Sequence, residues 1–170
     1  MKMKTQMAVA AVMAMGLMSA GAMAAGNSGK VTFHGEVVDT PCNLEPGQDG
    51  TDVKVEFGQL SMSQLNAGVN TTEQFTLKLK NCALAGKTAS IVFNSTDVNT
   101  TTPTLLNTNG SAKGLGIGID GYTFGTEKDL KGLTDGKNDL NFTAVAQKLG
   151  ADAVTAGDFK SIANFTINYK

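Results

Sequence analysis

Residues 29–44 read GKVTFHGEVVDTPCNL, and the pattern inside this stretch governs how the rest of the chain is read. Val31, Phe33, Gly35 and Val37 recur at a spacing of two, with Thr32, His34 and Glu36 between them. Successive side chains of an extended backbone point to opposite faces, so the spacing predicts a strand with one apolar face. Such a face needs a groove to fill, in its own domain or in a neighbour's. Asp39, Thr40 and Pro41 break the alternation, because proline is confined to strand starts and edges. Cys42 then opens a second strand or continues the first.

On the N-terminal side, Lys2 and Lys4 precede an apolar run over residues 7–18 that ends in small residues and the triplet Ala22, Met23, Ala24. This is the pattern of a secretory signal peptide, 1–24, and its apolar centre is too short for a membrane span. Cleavage there leaves 146 of the 170 residues, one domain's worth, divided into an N-terminal arm, 25–38, and a folded domain, 39–170. The processed chain keeps 12 of the 14 lysines against 15 acids and has no arginine. With no guanidinium group or basic cluster, no nucleic-acid partner is expected. Cys42 and Cys82 both survive processing, and an exported chain with an even cysteine count is expected to pair them.

Further along, residues 45–50 are turn-forming, and Val53, Val55 and Phe57 alternate with Lys54 and Glu56 up to Gly58, predicting a half-buried strand. Residues 61–66 allow one helical turn with serines at its start. Phe75, Leu77 and Leu79 alternate with Thr76, Lys78 and Lys80 up to Cys82, giving the clearest strand. Residues 89–93 are a short apolar run, and 94–104 a polar loop before Leu105 and Leu106. Leu115, Ile117 and Ile119 alternate with glycines, so the second face of that strand is open to close approach. Residues 122–125 read as continued strand and 128–138 as loop. Leu140, Phe142, Ala144 and Ala146 recur at spacing two and are taken as strand from their setting, although Phe142, Val145, Ala146 and Leu149 also fit one helix face. Phe159, Ala163, Phe165, Ile167 and Tyr169 close the chain on one alternating face. About seven short strands with one disulfide point to an all-β, immunoglobulin-like β-sandwich, with an eight-stranded barrel as the other fold.

Catalytic chemistry finds no support. His34 is the only imidazole, so no serine or threonine has a histidine base beyond the arm. Residues 116–121 match G-x-G-x-x-G, but a dinucleotide site needs the run to turn into a helix, and the residues that follow do not predict one. Two cysteines and a distant histidine do not make a zinc site, and no calcium-loop motif occurs; neither cofactor nor metal is expected. Asp120, Asp135 and Asp139 read as turn formers. N-x-[ST] triplets at Asn70, Asn94, Asn99, Asn141 and Asn164 are those expected by chance in a chain rich in Asn and Thr. Tyr122 and Phe124 are the aromatics that a monomeric, secreted carbohydrate-binding sandwich would expose.

Taken in order, GKVTFHGEVVDTPCNL, VEFGQLSMSQL, FTLKLKNC, GLGIGID and the tail FTINYK resemble the corresponding motifs of chaperone–usher pilins, the subunits of type 1 and P-type fimbriae. The tail matches at a penultimate tyrosine, Tyr169, and at a glycine fourteenth from the end, Gly157. The resemblance implies an incomplete sandwich, missing its last strand, and a cell-adhesion organelle outside the cell, reached through the periplasm. It implies a donor strand carrying Val31, Phe33, Gly35 and Val37. It also implies a groove and chaperone-contacting C-terminal strand carrying Gly157, Phe159, Ala163, Phe165, Ile167, Tyr169 and Lys170. The implied partners are other pilin subunits, joined head to tail, a periplasmic chaperone and an outer-membrane usher. The expected role is the major shaft subunit, with a minor or adaptor pilin as the alternative within the organelle.

Overall fold

The computed structural model describes residues 29–170. The expected signal peptide and the first residues of the arm lie outside the described residues. Two units are distinguished, 29–37 and Val38–Lys170. In the first, no regular secondary structure forms, and Val31, Phe33 and Val37 are fully solvent-facing, Phe33 at 91% exposure. The alternation predicted a strand there. A strand exists only with a hydrogen-bonded neighbour, and among the described residues these have none.

The second unit is a β-sandwich. One antiparallel sheet has the order β1-β2-β8-β6-β4, where β1 is Asn43–Leu44, β2 Thr71–Cys82, β4 Leu105–Asn107, β6 Leu115–Ile119 and β8 Gly136–Lys148. The other has the order β10-β3-β7, with β3 Ala89–Asn94, β7 Lys128–Leu130 and β10 Asn164–Tyr169. A small ribbon joins β5, Asn109–Gly110, to β9, Phe159–Lys160. Phe93 of β3 meets Phe142 of β8 edge to face, with ring centroids 5.3 Å apart, so the two sheets bury their apolar faces against each other. The helical turn α1, Met62–Asn66, starts on Ser61, whose hydroxyl accepts from the Gln64 N–H.

β2 and β8 pair over nearly their full length, with Phe75 opposite Phe142 and Leu77 opposite Leu140. Strict alternation from Leu77 and Leu79 would bring Asn81, not Cys82, to the interior. The register shifts between Leu79 and Cys82, and Asn81 takes φ 52°, so a bulge turns Cys82 inward. There it forms the expected disulfide with Cys42, with Cα atoms 4.1 Å apart. Leu140, Phe142, Ala144 and Ala146 are all buried along β8, so the strand reading of that segment holds over the helical one.

Four local expectations are corrected. Residues 53–57 keep the alternating burial of a strand but have no strand partner among the described residues. Residues 121–125 are a turn, not a strand: Gly121 and Gly125 take φ 73° and 78°, and the Gly125 N–H donates back to the Phe93 carbonyl at 2.8 Å. No helix follows residues 116–121, in keeping with the rejected phosphate motif. Residues 128–138 are not all loop, because β7 pairs with β3 and β8 begins at Gly136. The single closing strand is two, β9 and β10, since Phe159 and Lys160 pair with β5 before the chain moves to the edge of β3.

The glycine face of β6 is approached as expected. A Cβ on Gly116 would lie 3.3 Å from Leu105 Cδ1, and one on Gly118 would lie 2.9 Å from the Thr104 carbonyl oxygen. Leu105 of the neighbouring β4 fills the space that side chains would take. Tyr122 and Phe124 form no exposed platform. Phe124 is buried in the core, and Tyr122 packs edge-on to Phe93 at 5.3 Å with Lys128 Nζ 4.4 Å from its ring centre.

Candidate functional site: an open groove in the sandwich

The sheet β10-β3-β7 ends on β10, whose outer edge pairs with no strand among the described residues. Facing that edge is the extended but unpaired segment 53–57. Between them lies a groove of about 900 Å³. Val53 packs in the main core with Phe165, while Phe57 packs in a second cluster with Phe159, the two rings 6.2 Å apart. The two walls therefore run in opposite directions, 53 to 57 on one side and 165 to 159 on the other. Phe75, Phe93 and Ile117 line the floor. Ile117 is only half-buried although Leu115 and Ile119 on the same face are buried, because its side chain looks into the groove.

The groove leaves two kinds of demand unmet. Apolar side chains face a water-filled slot, and a strand edge presents unpaired backbone groups. One extended segment with an apolar face would meet both. Exposed apolar groups at the rim, such as Ile162 at 54% exposure, mark the same need.

Of the C-terminal residues singled out from the sequence, Phe159, Ala163 and Phe165 line the groove. Ile167 and Tyr169 lie further along β10, half-buried against the main core, and burial pushes the Tyr169 hydroxyl up. Gly157 is elsewhere. It takes φ 152°, and a Cβ there would run into Ala112 N and Ser111 Oγ, so the glycine permits a tight crossing of two backbones behind β9. The Lys170 backbone pairs both ways with Thr88, at 2.9 and 3.0 Å. Its ammonium lies 3.1 Å from Glu127, which also accepts from Ser90 Oγ and from Asn168 Nδ2. The Ser90 hydroxyl, with Lys170 and Asn168, holds the Glu127 carboxyl below its usual range. This cluster ties the end of β10 to β3.

The turn-forming residues 45–50 do form a turn, over 45–52, and it supports the first wall. Gly50 has no room for a side chain, since a Cβ would lie 3.0 Å from Glu45 N. The turn is anchored on β2 by the Glu45 N–H to the Lys78 carbonyl at 2.9 Å and by the ion pairs Lys78–Asp49 and Lys80–Glu45. The turn residues were legible; what they hold was not. Among the described residues no group of three or more His, Cys, Asp or Glu side chains is arranged to hold a metal ion.

Fold and groove together define an immunoglobulin-like sandwich that lacks its last strand, open along one edge. A family model described as fimbrial protein matches residues 31–170. The chain is 36% identical to the fimbria A protein of Serratia marcescens, over 95% of this chain and 96% of that one. It is 34% identical to the Pap fimbrial major pilin protein of Escherichia coli, over 94% of each. Among solved structures, a chain of a chaperone–usher pilus superposes with a TM-score of 0.73 at 36% identity, covering 85% of this chain and 96% of that one. The P pilus rod subunit PapA superposes with a TM-score of 0.66 at 32% identity, covering 77% and 100%. The chain belongs to the fimbrial protein family, a family of structural subunits and not of enzymes.

Proposed function

We propose that this protein is the repeating shaft subunit of an extracellular chaperone–usher fimbria, and that the arm of one copy completes the sandwich of the next. The observation that supports this reading is a complementary pair of defects. Residues 29–37 carry an apolar alternation whose Val31, Phe33 and Val37 are exposed, and among the described residues no strand occupies the groove between residues 53–57 and β10. Inserted as a strand, the arm places Val31, Phe33 and Val37 among the groove side chains, with Gly35 where the groove is shallow. Burying three such side chains contributes roughly 5–8 kcal/mol before backbone hydrogen bonds of about 1 kcal/mol each. This is β-strand addition, for which chaperone–pilin complementation is a standing example. Because arm and groove are different surfaces, the contact is head-to-tail and propagates into a filament.

The same groove has to be covered between export and assembly, and a periplasmic chaperone lending a strand to it, followed by handover at an outer-membrane usher, is the route we assign. Replacing Gly35 with tryptophan tests the reading. No atom lies within 4 Å of a Cβ at Gly35, so the fold tolerates the change. The variant is expected to be exported and to form the Cys42–Cys82 disulfide, yet to yield no filaments under the electron microscope. Normal filaments from Gly35→Trp would remove the arm from its assigned role.

A further inference from the structure

Gln48 is an exposed residue of the turn before the groove and does not line the groove itself. Its amide nevertheless makes two bonds to one residue of the wall. Nε2 donates to the Lys54 carbonyl and Oε1 accepts from the Lys54 N–H, each at 2.8 Å. A neighbouring β-strand engages a residue in this way, exchanging both backbone bonds. The side chain is thus a one-residue substitute for a strand.

The consequence follows from backbone geometry. In an extended chain the N–H and C=O of one residue point to one side, and those of the next residue to the other. With Lys54 engaged by Gln48, the N–H and C=O groups of Val53 and Val55 are directed to the opposite side, which is the groove. Among the described residues they have no backbone hydrogen-bond partner. Gln48 is itself held in place, since the turn that carries it is bonded to β2 through Glu45 and by the ion pair of Lys78 with Asp49 at 2.5 Å.

We infer that Gln48 is a positioning residue for strand capture: it keeps the 53–57 wall extended and its free backbone groups aimed into the groove before any donor strand arrives. The inference rests on the donor-strand reading above. Without the clamp the wall visits other conformations, and only the extended fraction accepts a donor, so the apparent association rate falls by that fraction. Once the donor is seated, its own ladder holds the wall and Gln48 matters little. Gln48 therefore acts on capture and not on retention, which a general loss of stability would not imitate.

The test uses the full chain and a labelled synthetic peptide of residues 29–40 as the donor, mixed in stopped flow. Wild-type protein is expected to bind it, and failure of wild type to bind would overturn the donor-strand reading itself. Gln48→Ala is expected to slow association roughly three- to tenfold, the scale of two hydrogen bonds of modest net strength, with dissociation unchanged within about twofold. Hydrogen exchange at the Lys54 amide of the empty protein should rise in the same variant. Gln48→Glu, which can still accept from the Lys54 N–H but cannot donate to its carbonyl, should fall between the two, and it carries the test if Gln48→Ala fails to fold. Wild-type association in these variants, or equal changes in association and dissociation, would overturn the role of Gln48 while leaving strand addition intact.

Discussion

At Gly157 a backbone conformation and a lack of space coincide. With φ at 152° and Ser111 Oγ 2.5 Å from where a Cβ would lie, Gly157→Ala must push the 157–160 segment away from 111–112. It is expected to lower stability by roughly 1–3 kcal/mol in denaturant titration and to weaken donor-peptide binding, because Phe159 at the groove end moves with the segment. Glu127 gives a pH signature. Its folded-state pKa is lowered, so the stability it contributes is present above its ordinary value of 4.5 and is lost as pH falls through the lowered one. Glu127→Gln is expected to flatten the acid limb of a stability-versus-pH curve while changing little of its shape at neutral pH. A mutant that keeps the full acid slope would show that the Ser90–Glu127–Lys170 cluster is not its source.

Among the elements, the clearest case is residues 53–57. Alternation predicts a strand there, and alternating burial is present, but no ladder forms among the described residues; in the proposed assembly another copy supplies the partner strand. Adding the 29–40 peptide is expected to protect the Val53 and Val55 amides from hydrogen exchange and to leave the already bonded Lys54 amide nearly unchanged. Protection appearing instead along β7 would place the donor at the wrong edge of the sheet. β2 and β8 illustrate the opposite situation. In β2 the inward Leu77 and Leu79 are enough for periodicity alone to reveal the strand, while in β8 Leu140 and Phe142 leave a helix face open as well and the surrounding strands decide. Residues 122–125 read as continued strand, yet Gly121 and Gly125 at positive φ reverse the chain and tuck Phe124 into the core.

For the whole molecule, the proposed assembly divides stability between the molecule's own core and a strand received from another copy. The disulfide secures the first part. It closes a separation of 40 residues, so removing it by Cys42→Ala with Cys82→Ala is expected to cost about 4 kcal/mol on the loop-entropy model, read as a lowered denaturation midpoint under non-reducing conditions. In the proposed assembly the donated strand secures the second. Surface material should run as a ladder of oligomers in SDS that collapses to monomer on heating, because each link has to unzip an entire strand at once.

The strands with strong inward faces, the pairing of Cys42 with Cys82 and the apolar alternation of the arm are all legible in the order of residues. Those features depend on local periodicity and on the count of two cysteines in an exported chain. The place of the groove between residues 53–57 and β10, the bulge at Asn81 that turns Cys82 inward and the reach of Gln48 to Lys54 emerge in the folded chain. The physical reason is that each of these depends on which backbone edge is left unpaired, and edge pairing joins residues that are distant along the chain. The stretch at 29–44 shows both sides of this. Its alternation over 31–37 can be read directly, but among the described residues no strand pairs with 31–37.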